Sequence, residues 1–342
     1  MLDLSIIVPV YQVEKYVRQC MESIFRQGLD EDTFEVIIVN DGTKDRSMEV
    51  IADIIEQHSN ITIINQENQG LSVARNNGIK QAKGTYIFMP DSDDILITNS
   101  LRPLLDKAVD TMTDIVVADF LEMDDEGIEN FQGLTQNTFN YTEKSGKRLF
   151  LEDLNPNQCY VWRSLFRRCF LLDHNLSFYP GIFYQDVPFT HECYIKADKC
   201  IITSWVLNIY RKRRVGAATS SFGIKKAKDY CTMIARTWEL TKNDFPPQIL
   251  HKLKDNVFLY FSLNIWSTSR LKNKNDRLEV INYLKVLVPD FSFNNSLKQI
   301  IYSVLYRYAP HYLIAIRLYY GIIVEDFLLP HYHKFKINKK IL

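Results

Sequence analysis

The sequence predicts an α/β fold, a sheet of mainly parallel strands flanked by helices, followed by a helical C-terminal subdomain. Three observations carry this. Short runs rich in β-branched residues alternate with segments of helical apolar spacing through about residue 120. The runs are mostly continuously apolar, as strands covered on both faces are. From about Phe222 the apolar spacing is helical to the end of the chain.

The strands expected, in order, are Leu4 to Pro9, Phe34 to Val39, Ile61 to Ile64, Thr85 to Met89 and Asp114 to Ala118. Between the first two, Val17, Cys20, Met21, Ile24 and Phe25 recur at helical spacing, and Met48, Ile51, Ile54 and Ile55 do the same before the third. Another helix is expected to begin near Ser72, within Gly70 to Gly78. Right-handed crossovers put such helices on the sheet faces and leave the polar turns at the carboxyl ends of the strands, where α/β folds bind ligands. Glu122 to Gly146 is polar and acidic, and is consistent with a loop, an edge hairpin or a boundary. Further on, Tyr230, Ile234 and Trp238 share one helical face, and Val257, Tyr260, Phe261 and Ile265 another.

Composition narrows the function. The chain has 342 residues, 46% hydrophobic and 13% aromatic, with 41 Lys+Arg against 41 Asp+Glu. That is enough apolar material for a large core, and the zero net charge speaks against a nucleic-acid partner. Six cysteines at 20, 159, 169, 193, 200 and 231 form no CxxC pair, as expected of reduced thiols in a cytosolic compartment. The N-terminus lacks a basic leader region, and no apolar run approaches the roughly 20 residues of a membrane span. A cytoplasmic location is expected, with the cytoplasmic face of the inner membrane as its variant.

Met89-Pro90-Asp91-Ser92-Asp93-Asp94 places three acids directly after a strand. Crowded carboxylates repel one another, and a hard divalent ion with phosphate oxygens in its remaining positions would relieve them. The same acids serve equally to shape a turn or cap a helix. Val39-Asn40-Asp41-Gly42-Thr43 ends another strand. Asp41 could accept the imide N–H of a uracil, and Asp45 could cap the next helix. Pro9, Val10 and Tyr11 end the first strand, where Tyr11 could stack on a base or simply pack. Arg75 could pair with Asp91, reach a phosphate or lie on the surface. Asp186 sits among aromatic residues from Phe178 to Phe189, a setting that raises an acid's pKa and suits a general base, or caps a helix before Phe189. The basic run Arg211 to Arg214 after Tyr210 could face a pyrophosphate or a lipid phosphate, or simply face water. No Rossmann glycine fingerprint and no GxxxxGK[ST] loop occurs.

In order, PVY at Pro9 to Tyr11, NDGTKDRS at Asn40 to Ser47, NQGLSVARNNGI at Asn68 to Ile79, GTYIFMPDSDD at Gly84 to Asp94, WRSLFRR and YPGIFYQD resemble the signatures of inverting family 2 glycosyltransferases. The likeness is closest to bacterial members that build capsular or other surface polysaccharides. It implies the GT-A fold, a Rossmann-like mixed sheet flanked by helices, in a catalytic domain spanning 1–220. Residues 1–120 would form the nucleotide-sugar half, 121–220 the acceptor half, and 221–342 the helical subdomain. It implies Asp186 as catalytic base, and Pro9, Tyr11, Asp41, Arg75, Asp91, Ser92, Asp93 and Arg211 around a UDP-sugar. Asp93 and Asp91 would hold Mn²⁺ or Mg²⁺, and a saccharide or lipid-linked oligosaccharide would be the acceptor. This sequence departs from many relatives in having Asn40-Asp41 for two acids and Gln185-Asp186 for Glu-Asp. The alternative is a non-catalytic nucleotide-sugar or glycan-binding protein that retains the fold. Ile301 to Leu342 sets tyrosines beside Lys and Arg, a composition that suits peripheral membrane contact, a homodimer or partner surface, or ordinary core.

Overall fold

The computed structural model describes residues 2–212, 222–294, 296–309 and 312–313. The chain divides into two compact units, Met1–Ser220 and Ser221–Leu342.

The first unit runs β1 (Leu4–Val10), α1 (Val17–Ile24), β2 (Phe34–Asn40), α2 (Ala52–Gln57), β3 (Ile61–Asn65), α3 (Leu71–Gln81), β4 (Tyr86–Phe88), β5 (Ile95–Leu96) and α4 (Leu101–Thr111). It continues with β6 (Ile115–Met123), α5 (Asp125–Glu129), β7 (Tyr141–Lys144), α6 (Gly146–Glu152), β8 (Ser164–Arg167), α7 (Arg168–Asp173), α8 (Asp186–Lys196) and β9 (Cys200–Arg211). The nine strands form one sheet in the order β3-β2-β1-β4-β8-β6-β9-β5, with β7 also on β9. β1 pairs in parallel with β2 and β4, and β2 with β3. β8 is antiparallel to both β4 and β6, and β6 is parallel to β9, so β1, β2, β4, β6 and β9 all end on one rim.

The apolar runs explain the central strands. Every residue of β1 is buried, because α1 and α4 cover one face and α3 lies on the other. Gly78 permits that second contact: a Cβ there would fall 2.3 Å from Ile7 Cγ2.

Glu122 to Gly146 is not a boundary. β6 was expected to stop at Ala118, but its backbone stays paired with β9 through Met123, past register shifts at Val117 to Phe120. The polar side chains of Asp119 and Glu122 interrupt the apolar run without interrupting the ladder. β7 then adds an antiparallel edge against β9.

The second unit contains α9 (Ile224–Glu239), α10 (Pro247–Ser269), α11 (Lys274–Leu287) and α12 (Leu297–Tyr308). Ile234 and Trp238 of α9 and Val257, Tyr260, Phe261 and Ile265 of α10 are buried as their spacing predicts. Trp238 and Phe261 meet Phe291 edge-on, and Tyr306 closes the same ring cluster. Arg213, Arg214 and most of the tyrosine-rich C-terminal segment, 314–342, lie outside the described residues.

Candidate active site

The site forms on the rim where the parallel strands end. The loop after β2 is tied to the loop after β1: Gln12 N–H donates to Thr43 Oγ1 at 2.8 Å and Glu14 N–H to Asp45 Oδ2 at 3.1 Å. Asp45 also accepts from Thr43 Oγ1 and from the Ser47 N–H and hydroxyl. Burial opposes ionisation of Asp45, but these donors outweigh it and hold its pKa below the ordinary value.

Asp41 is 3% exposed, and its carboxylate is turned inward. Oδ1 accepts from Gln66 Nε2 at 2.7 Å and Gln69 N–H at 2.8 Å; Oδ2 accepts from Gly70 N–H at 2.9 Å and Asn68 Nδ2 at 3.2 Å. The residue expected to read a uracil thus pins the segment that leads into α3. Gly42, at φ 66°, is needed beside it, since a Cβ would come within 3.0 Å of Asn68 N. Tyr11 stands exposed on the rim, whereas Pro9 is buried within β1 opposite Val39.

Arg75, in the first turns of α3, is 0% exposed. Nη2 donates to Asp91 Oδ1 at 2.6 Å and Nη1 to Asp186 Oδ1 at 2.8 Å, while the guanidinium lies 5.2 Å from the Phe178 ring centroid. The option of a surface arginine is excluded. The next residue, Asn76, exchanges two hydrogen bonds with the Phe178 backbone, at 2.8 and 2.9 Å, and holds the loop before α8 against α3.

Asp186 is the first residue of α8, and its side chain is 22% exposed. Tyr184, just before it, has φ 65°, an uncommon conformation for a bulky residue and one that aims the start of α8. Burial raises the Asp186 pKa above its ordinary value against the opposing pull of Arg75 and a hydrogen bond from Gln185. Phe178 and Phe189 stack at 4.0 Å beneath this loop and belong to the core.

The acidic loop follows β4. One carboxylate oxygen from each of Asp91, Asp93 and Asp94 lies within 4.8 Å of the others, the one group of this kind among the described residues. Asp94 N–H closes a turn on Asp91 O at 3.1 Å, and Ser92 is buried within it. Burial first, then the charges of Asp93 and Asp91, push the Asp94 carboxyl well above its usual range. All-oxygen donors crowded at this distance fit a hard divalent cation, whose charge would relieve the repulsion.

Arg211 braces the loop from behind. Its N–H donates to Asp94 Oδ1 at 2.8 Å, Nε to Asp93 O at 2.9 Å and Nη2 to Gln19 Oε1 at 2.7 Å, and Nη1 pairs with Asp125. Its Cζ lies 4.7 Å from the Tyr16 ring centroid. The guanidinium thus grips the loop at the Asp93 carbonyl and ties it to α1 and α5, while the backbone N–H holds the Asp94 carboxylate.

Sequence reasoning missed an aromatic stack beside these groups. Tyr160 and Trp162 stack at 4.7 Å, and Trp162 and Tyr210 at 5.4 Å, with Phe120 edge-on to Trp162. Tyr210 precedes Arg211, and burial, with Tyr160 and the acidic loop adding to it, pushes its phenol up to about 12. The sole sequence signal was aromatic content scattered over three separate segments.

A Rossmann-like mixed sheet with an acidic loop after the fourth strand and a buried acid opposite it defines the GT-A class of nucleotide-sugar transferase folds. Residues 5–171 match the family model described as Glycosyl transferase family 2, and this part of the chain belongs to that family. It is 35% identical over 219 residues to the uncharacterized glycosyltransferase EpsJ of Bacillus subtilis, an alignment covering 61% of this chain and 60% of that protein. It is 32% identical over 220 residues to the glycosyltransferase GlyA of Streptococcus pneumoniae, covering 62% of this chain and 31% of that one. The chain therefore spans less than two thirds of either relative. Among solved structures it is similar to S. aureus TarS 1–349 in complex with UDP-GlcNAc, with a TM-score of 0.67 at 20% identity over 84% of this chain and 81% of that chain. That likeness establishes the GT-A fold.

Proposed function

We propose that the protein is an inverting glycosyltransferase that moves a sugar from a UDP-sugar to a hydroxyl of a saccharide or lipid-linked saccharide. The observation that carries this reading is the double ion pair of Arg75, which bridges Asp91 of the acidic loop to Asp186, a residue 111 positions further along the chain than Arg75. A base and a diphosphate site must flank one anomeric carbon for an in-line displacement. Arg75 sets them side by side.

Asp186, as carboxylate, takes the proton of the acceptor hydroxyl. The oxygen so freed forms its bond to the anomeric carbon as the bond to the diphosphate breaks, and the configuration inverts. Arg75 keeps Asp186 ionised against its burial and orients it through Oδ1. Asp91 and Asp93 would hold a divalent ion, Mn²⁺ or Mg²⁺, which supplies positive charge to the departing diphosphate. Ser92 and Arg211 keep the acidic loop in shape, and Tyr11 offers a stacking wall to the base. Asp41 shapes the base pocket through the loop it pins, and takes an imide N–H by giving up one of its four hydrogen bonds.

A UDP donor is supported by the UDP-GlcNAc complex of TarS, and Mn²⁺ by a mannosyltransferase of Pyrobaculum calidifontis in complex with GDP-Man and Mn²⁺, similar at a TM-score of 0.55. The reading is tested by a hydrolysis screen of UDP-sugars and GDP-mannose with and without Mn²⁺. Turnover of a UDP-sugar that needs the metal is expected. Turnover of GDP-mannose alone overturns the UDP assignment, and binding without turnover throughout favours a non-catalytic sugar-nucleotide binder.

A further inference from the structure

Helix α12 presents two unlike faces. Gln299 and Tyr306 are buried: Gln299 Nε2 donates to Asp255 Oδ1 of α10 at 2.8 Å and Tyr306 OH to Val288 O at 3.2 Å. The Tyr302 ring packs on Phe258 and Phe261 of α10. On the opposite side Leu297 is 74% exposed, Val304 51% and Tyr308 75%, with Ile300 and Ile301 also exposed. At 3.6 residues per turn these five fall within a stripe of about 100° that carries no charged group. Arg307 lies at one edge of the stripe and Lys298 further round beyond the other, its ammonium 5.9 Å from the Phe258 and Tyr302 ring centroids; 291–309 contains no acidic residue. Lys285 Nζ donates to Arg307 O at 3.2 Å and ties the end of α11 to α12.

An apolar stripe of this size on a helix held in place by its other face is a docking surface. The charges choose the occupant. A second copy paired face to face would bring these cations together with no acid in the segment to meet them, whereas an anionic lipid surface meets both with phosphate. No helix among the described residues is long and apolar enough to cross a membrane, so the contact is one at the surface. We propose that α12 docks the protein on an anionic bilayer. Leu297, Ile300, Ile301, Val304 and Tyr308 enter the boundary between headgroups and acyl chains, and Lys298 and Arg307 stay at headgroup level. This stands on the surface of the second unit and does not rest on the sugar-transfer reading.

The test is flotation of the full chain with vesicles of phosphatidylcholine plus phosphatidylglycerol, against phosphatidylcholine alone, at low and high salt. Binding to the anionic vesicles is expected, weakened by salt. The pair Ile300→Ser and Val304→Ser lowers the partition about tenfold or more, and Lys298→Glu with Arg307→Glu removes the preference for phosphatidylglycerol. These side chains are exposed, and unchanged circular dichroism and thermal unfolding verify that the fold is kept. A second measurement labels Val304→Cys with an environment-sensitive fluorophore after Cys169→Ser, since Cys169 is exposed and the other five cysteines are buried. Its emission shifts blue on adding anionic vesicles. Equal flotation of the variants and the unaltered protein overturns the proposal. So does blue-shifted emission before vesicles are added, which means the face is already covered, or a dimer that the serine pair dissolves.

Discussion

Arg75 touches two acids, and its loss has separable consequences for them. With Asp186 as the proposed base, transfer requires it without its proton, so the rate is expected to rise as pH passes upward through the Asp186 pKa. Burial has already raised that value, and Arg75 is the charge that holds it down. Arg75→Gln therefore moves the acid limb of the kcat/KM profile to higher pH. A limb that stays in place would show that Arg75 has no electrostatic hold on the base. Asp186→Asn keeps the shape but cannot take a proton. A loss of transfer of about 10²- to 10⁴-fold is expected with UDP-sugar affinity retained, measured by product formation and by calorimetric titration. At this scale the acids themselves were readable from sequence, since strand-end carboxylates have a recognisable pattern. The pair of Arg75 with Asp91 was among the options, but the further link to Asp186 was not, because nothing local ties residue 75 to residue 186.

At the scale of elements, the placement of Arg75 depends on how closely α3 approaches the sheet. Gly78 sets that distance, one turn further along the buried side of the helix. With a Cβ 2.3 Å from Ile7 Cγ2, Gly78→Ala forces either Ile7 or the helix to move. Overpacking of this kind costs about 1 to 3 kcal/mol, seen as a lower urea midpoint. If the helix is what moves, transfer falls further than the loss of folded protein explains; an unchanged specific activity of the folded fraction would mean that Ile7 alone gives way. β6 shows why element boundaries escaped the sequence: hydropathy records which side chains are apolar, and the ladder to β9 is made by backbone groups that are the same under Asp119 as under Val117. Arg211 shows the same limit from another side. Sequence shows a cation after an aromatic residue; that its side chain reaches Asp93 O, Gln19 and Asp125 follows from where β9 ends.

For the molecule as a whole, the acidic loop is a stability cost that a ligand can remove. The raised pKa of Asp94 means the folded state holds that proton more tightly than the unfolded chain. Stability from this group is thus greatest in acid, below the unfolded value, and is lost as pH rises through the folded one. Near neutrality the crowding remains, and UDP with Mn²⁺ should offset it. At a hundredfold excess over Kd the ligand contributes about 2.7 kcal/mol, read as a higher thermal midpoint with the two together. Asp93→Asn should abolish the increment while leaving the unliganded midpoint equal or higher, because one of the repelling charges is gone. A ligand-induced shift that survives Asp93→Asn would place the cation elsewhere.

The sequence by itself determined β1 to β4 and the helices between them, the helical character of the described residues after Phe222, and Asp91, Asp93 and Asp186 as candidate acids, while β5 and α4 escaped it. Apolar periodicity and strand-end polarity are local properties, written within a few residues of where they act. Tertiary structure alone decided that Arg75 is buried between two of those acids, that Asp41 faces inward, that Arg211 is a brace, that Tyr160, Trp162 and Tyr210 form one stack, and which side of α12 is left bare. Each of these depends on which distant segments share a rim or a helix face, and that follows from sheet order and packing, which no local run of residues encodes.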